Sequence, residues 1–153
     1  MGLVTWSNVL DPSDSRLLER WLAAGHELGN HTYSHPDYTA TDSTAYIADA
    51  ERGRAALGAL LAQHGAPVRF FRYPYLREGD TPEKLRAMRR YLARSGQHNL
   101  PVTIDNEDWA FEEAAPKVDA RLRAAGCKPA STLLGIARLA MPEAMIEIEA
   151  TAA

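Results

Sequence analysis

The chain has 153 residues, 24% charged and 46% hydrophobic, with 17 basic against 20 acidic side chains and a net charge of −3. That length suits one domain with a core that needs no disulfide staples, and the mild acidity excludes an electrostatic footprint for nucleic acid. It is also too short for a full-sized closed eight-stranded α/β barrel, which takes about 250 residues.

Leu3–Val9 is apolar and reads as a strand, and Asp11-Pro12-Ser13 as a turn and helix start. Leu17, Leu18, Trp21 and Leu22 recur at helical spacing up to a glycine stop at Gly25. A short second strand, His26–Asn30, precedes a helix from about Ser43 to His64, with Leu57, Leu60, Leu61 and His64 on one face and Gly65 after it. Val68–Arg72 reads as a third strand. Thr81-Pro82 supplies an N-cap and first helical position, Leu85, Met88 and Leu92 the apolar stripe, and Gly96 the end of that helix. Leu100–Asp105 is a fourth strand candidate, and Glu112–Ala125 a further helix stopped by Gly126.

No apolar stretch approaches the roughly 20 residues of a membrane-spanning helix, and Met1–Leu10 lacks the positive charge that opens a signal peptide. Cys127 stands alone, which leaves no disulfide within the chain and no Cys-based zinc site. His26, His64 and His98 read as structural or solvent-facing, and Arg86, Arg89, Arg90 and Arg94 as a solvated helix face.

Alternating strands and helices predict an α/β fold of βα units around a parallel sheet or part of a barrel. In such folds chemistry gathers at the C-terminal ends of the strands. Three polar clusters fall there: His31–His35, Arg72–Tyr75 and Asp105–Trp109. In a helical turn His31 and His35, at i and i+4, share one face and can chelate a divalent cation such as zinc; the bland reading is two surface histidines beside a turn. Arg72 can grip a carboxylate or substrate oxygen, or merely belong to an Arg-aromatic-Pro turn. Asp105, Glu107 and Asp108 can tune a histidine or arginine, and Trp109 can wall a sugar pocket; helix capping and a core tryptophan are the alternative.

The run Gly25-His26-Glu27-Leu28-Gly29-Asn30-His31-Thr32-Tyr33-Ser34-His35 resembles the second motif of the polysaccharide deacetylases, carbohydrate esterase family four, also called the NodB homology domain. Arg72-Tyr73-Pro74-Tyr75 resembles the third, and Asp105-Asn106-Glu107-Asp108-Trp109 the fourth, in the family's order. The resemblance implies a partial, distorted (β/α) barrel over residues 1–111, with a helical tail of no recognisable family pattern at 112–153. It implies removal of N-acetyl groups from a glycan by a hydrolase that uses a divalent metal, usually zinc, held by His31 and His35. Arg72 would hold the base carboxylate, the Tyr75 N–H would bind the oxyanion, Asp108 would tune the acid histidine, and Trp109 would line the substrate groove together with Tyr75.

Two of the family's motifs have no counterpart. The 30 residues before His31 contain no Asp-Asp pair, the source of base and third ligand, and no histidine follows His98 to serve as acid. The resulting expectation is a truncated and inactive deacetylase, with a non-catalytic glycan- or metal-binding remnant as the alternative. A missing first strand would also leave one sheet edge unpaired. Oligomeric state and compartment stay open, although family members are often exported.

Overall fold

The computed structural model describes residues 1–102 and 146–148. Within them lie β1 (Gly2–Val4), α1 (Pro12–Ala23), β2 (Leu28–Asn30), α2 (Ser43–Ala62), β3 (Phe70–Phe71), α3 (Pro82–Ser95), β4 (His98–Asn99) and β5 (Ile146–Ile148). The sheet runs β4-β3-β2-β1-β5. Strands β1 to β4 pair in parallel, each joined to the next by a crossover, and β5 lies antiparallel along β1. The expected α/β architecture is therefore present, among the described residues, as a run of parallel βα units.

The helix starts obey local rules. Asp11 accepts from the Ser13 N–H and Asp14 returns to the Asp11 N–H, a reciprocal capping box with Pro12 in the first turn. Asp42 caps α2 through the N–H groups of Thr44 and Ala45, and Thr81 caps α3 through Lys84 N–H. Gly96 ends α3 at φ 69°, a left-handed conformation that glycine adopts without steric cost.

Several expectations need correction. Leu3–Val9 is a strand only through Val4, and Trp6–Asn8 forms a 3-10 turn instead. The reason lies next door: β2 ends at Asn30 and its continuation folds away, so Trp6 and Ser7 donate to Thr32 and Tyr33 carbonyls outside any ladder. Strand β3 is shorter than Val68–Arg72, yet sheet-like bonds extend it: His98 N–H donates to Arg69 O at 2.7 Å and Arg72 N–H to Asn30 O at 3.1 Å. The fourth strand is His98–Asn99, with 100–102 following it outside any strand, because the left-handed Gly96 delivers the chain directly beside Phe70 and Phe71; 103–105, the rest of the expected strand, lie outside the described residues. His64 lies beyond the end of α2 in an exposed turn and is not part of its buried face. The edge of β1 expected to be unpaired is matched by Ile146–Ile148, a strand the sequence reading did not place. The helix expected at Glu112–Ala125 and Cys127 lie outside the described residues.

Two clusters form the core. Val4, Leu18, Leu28, Leu57, Leu60, Leu61 and Val68 bring α1 and the C-terminal half of α2 onto β1 and β2. Tyr38, Tyr46, Ala50, Phe71, Tyr73, Met88, Tyr91 and Leu92 join the N-terminal half of α2 to α3 and β3. Helix α2 thus spans both, and its middle turn lies against the end of β2. Burial of the Tyr46, Tyr73 and Tyr91 rings raises their hydroxyl pKa values above the usual tyrosine range.

One ion pair links core to surface. Glu51 on α2 accepts from the Arg54 guanidinium and from Tyr91 Oη, at 3.0 Å for the latter. The Arg54 hydrogen bonds, reinforced by Tyr91 against a partial burial cost, hold the Glu51 carboxyl below its ordinary value of 4.5. A depressed folded-state value means that the stabilisation is complete above 4.5 and lost as pH falls through the folded value. Asp37 behaves alike, held low by the Thr39 hydroxyl and by Arg77. Denaturation midpoints should therefore fall as pH drops below the ordinary carboxylate range, and less steeply in Glu51→Gln. Equal slopes would show that solvent screens the pair completely.

Candidate active site

The segments His31–His35 and Arg72–Leu76 leave the C-terminal ends of adjacent parallel strands, β2 and β3, and meet at that rim. His31 is 2% exposed. Its N–H donates to Val4 O at 3.1 Å, which carries it one residue past the strand. Its ring Nδ1 lies 2.9 Å from the carbonyl oxygen of Arg72. A carbonyl can only accept, so Nδ1 carries a proton, and the tautomer with that single proton has its lone pair at Nε2.

The Nε2 of His35 stands 3.2 Å from that atom. A tetrahedral zinc with Zn–N of ~2.0–2.1 Å separates two ligand nitrogens by roughly 3.3 Å. The spacing of the two Nε2 atoms and the backbone acceptor behind the first ring both fit a divalent metal. The two rings are not presented by a helical turn, as the i, i+4 spacing suggested. Residues 31–35 form a bent loop in which Thr32 (φ 69°) and His35 (φ 59°) are left-handed. Among the described residues no group of three or more His, Cys, Asp or Glu could complete a metal shell.

Arg72 is buried at 2% exposure, and its Nε donates to Leu100 O at 3.0 Å. The expected part for this residue was its guanidinium; the structure adds its carbonyl, which orients His31. Tyr75 sits at φ 56° and Leu76 at the same value, in the turn Pro74–Leu76. The Tyr75 ring meets His35 edge-on at 4.7 Å between centroids and is 58% exposed. Leu76 and Arg77 N–H groups are satisfied by Tyr73 and Pro74 carbonyls, whereas Tyr75 N–H meets no acceptor among the described residues. Asp108 and Trp109 lie outside the described residues.

All four non-glycine residues with positive φ among those described, Thr32, His35, Tyr75 and Leu76, belong to these two segments. Such conformations cost on the order of 1–3 kcal/mol each and persist only where the surroundings enforce them. The enforcement is visible. Asn30, fully buried, accepts from Thr32 N–H at 3.0 Å while its amide donates to Ala50 O and to Gln97 Oε1, each at 3.0 Å. Gln97 in turn donates to Ser95 Oγ at 2.8 Å. Asp49 accepts from the N–H groups of Tyr33 and Ser34. Gly53 leaves room for the loop: a Cβ there would stand 2.6 Å from Thr32 C.

None of Asp49, Gly53 or Gln97 drew notice in the sequence. Only Gly53 carried a usable signal, since glycine inside a 20-residue helix is a local loss that asks for a packing reason.

The polysaccharide deacetylase family profile matches residues 5–95, which include both histidines, Arg72 and Tyr75. The chain belongs to the polysaccharide deacetylase family. A chitin deacetylase of Arthroderma benhamiae is 29% identical over 116 residues, which cover 76% of this chain and 28% of that protein. The solved chitin deacetylase of Colletotrichum lindemuthianum superposes with a TM-score of 0.50 at 26% identity, over 68% of this chain and 42% of that one. A pseudoenzyme of carbohydrate esterase family four from Bacillus anthracis gives 0.54 at 18% identity, over 78% and 39%. The fold is thus that of the family's (β/α) barrel domains, present in part. The chain spans well under half the length of each of these three relatives.

Proposed function

We propose that this deacetylase-family chain is built for metal-dependent hydrolysis of N-acetyl groups on a glycan, with His31 and His35 as metal ligands. The observation that carries the reading is the pair of Nε2 atoms 3.2 Å apart, the His31 proton fixed on the far side of its ring. A divalent cation held there, zinc by resemblance, would polarise the amide carbonyl and acidify a water. The Tyr75 N–H, which meets no acceptor among the described residues, would serve the developing oxyanion, and its exposed ring would suit a sugar face. Arg72 orients His31 through its carbonyl; by resemblance it would hold a base carboxylate, Asp108 would tune an acid histidine and Trp109 would line the groove, but the sequence has no Asp-Asp pair before His31 and no histidine after His98 to complete the first two of these roles. Glycans of N-acetylglucosamine are the natural first substrates, because the similar fungal proteins are chitin deacetylases.

The alternative is a glycan- or metal-binding domain without turnover. It draws on the absence of a third ligand among the described residues and on the fold likeness to a pseudoenzyme. One experiment separates the two. Zinc content and acetate release from N-acetylglucosamine oligomers are measured for the wild type and for His31→Ala. Zinc and acetate release lost together in the variant support catalysis. Zinc and glycan binding without acetate release support the binding domain. Acetate release that survives His31→Ala overturns the metal assignment.

A further inference from the structure

We propose that Asp49 is the positioning residue that sets the two imidazoles at chelating distance, acting from α2 through the backbone between them. This rests on the metal-site reading above. His31 is fixed independently, by Val4 O and by Arg72 O. Among the described residues, the His35 N–H donates to Thr32 Oγ1 at 3.0 Å and its ring meets the edge of Tyr75. What sets one ring against the other is the path of Thr32, Tyr33 and Ser34.

Asp49 grips that path with both oxygens. Its Oδ1 accepts from Tyr33 N–H at 2.9 Å and Ser34 N–H at 3.0 Å, and its Oδ2 from Ser34 Oγ at 2.7 Å. Ser34 is exposed, so water could satisfy its N–H and hydroxyl, whereas Tyr33 N–H is half-buried. At Ser34 what the carboxylate supplies is therefore geometry, through charge-assisted bonds to two successive amides. Three residues along the same helix, the Arg52 guanidinium lies 3.5 Å from the centroid of the Tyr33 ring and closes a second grip on the loop. Helix α2 thereby acts as the template for the metal loop.

The test compares the full-length wild type with Asp49→Leu and Asp49→Asn. Zinc affinity is measured by calorimetry, and the contact between the His31 and His35 rings by nuclear Overhauser effects in metal-free protein. Asp49→Leu is expected to weaken zinc binding roughly 10–100-fold, the usual cost of losing a residue that orients a ligand. It should also abolish the inter-ring contact while leaving the far-ultraviolet circular dichroism intact. Asp49→Asn keeps an oxygen for the two amides and should retain most of both signals. Unchanged zinc affinity and an unchanged ring contact in Asp49→Leu would overturn the proposal. If the wild type binds no zinc, the metal reading fails, and the ring contact alone still decides whether Asp49 sets the loop. If Asp49→Leu does not fold, the same two readouts are taken on Asp49→Ala, which removes both acceptor oxygens without adding apolar bulk: loss of both signals supports the proposal, and their retention overturns it.

Discussion

Asn30→Ala is expected to destabilise the protein by about 3 kcal/mol, a fall of roughly 10 °C in Tm at this chain length. The side chain is fully buried and makes three bonds: from Thr32 N–H, to Ala50 O and to Gln97 Oε1. The Ala50 carbonyl lies within α2 and has its helical partner, so its loss costs little. Thr32 N–H and Gln97 Oε1 lose a buried partner each, at ~1–3 kcal/mol apiece, and alanine adds a void. Chemical denaturation of Asn30→Ala, Gln97→Leu and the double variant measures this. Sub-additive losses would show that the two amides act as one unit. A loss for Asn30→Ala below about 1 kcal/mol would mean that water replaces the amide without strain, and the network would not be what enforces the left-handed Thr32.

Gly53→Ala should also destabilise, against the sign that helix propensity gives. In an exposed helix interior the exchange gains roughly 1 kcal/mol. Here the added Cβ would lie 2.6 Å from Thr32 C, 2.7 Å from Thr32 O and 2.7 Å from Asn30 Oδ1. Two of these are backbone atoms of the loop between the histidines, and the third is the acceptor that fixes that loop. No flexible side-chain end is available to move aside. Overpacking costs ~1–3 kcal/mol or more in such a setting, so a net loss of about 1–2 kcal/mol is expected. Under the proposed metal reading zinc affinity should fall with it, because a shift of Thr32 displaces the segment that joins the two rings. Gly58→Ala is the control on the same helix: its Cβ would meet Val68 Cγ2 at an ordinary 3.6 Å, and propensity should win. A Gly53→Ala protein as stable as the wild type, with unchanged zinc affinity, would show that α2 can shift away from the loop at no cost.

These two residues mark where the sequence was legible and where it was not. Asn30 lay inside the motif that carried the family resemblance, but nothing in the string gave it the role of joining β2, α2 and Gln97. Gln97 lies 67 positions away in the chain, and only the parallel pairing of β2, β3 and β4 brings it to Asn30. Gly53 was visible as an oddity without a reason. The i, i+4 spacing of His31 and His35 implied two rings on one face of a helical turn. The rings meet across a loop with two left-handed residues, a conformation that periodicity cannot signal because it depends on contacts from α2.

Short-range chemistry settled the helix starts at Pro12, Ser43 and Pro82, the α3 stop at Gly96 and the apolar faces of Leu57, Leu60, Leu61, Met88 and Leu92. These depend on neighbours within a turn or two, so the sequence by itself determined them. It also determined the family, through residue types in a fixed order. Strand lengths, the pairing of β1 with Ile146–Ile148, the clamp of Asp49 on the loop between the histidines and the turn of the Arg72 carbonyl toward His31 were decided only in three dimensions. Each is a contact between segments far apart in the chain, selected by which buried polar groups find partners, and that selection is made only when the whole sheet and its helices come together.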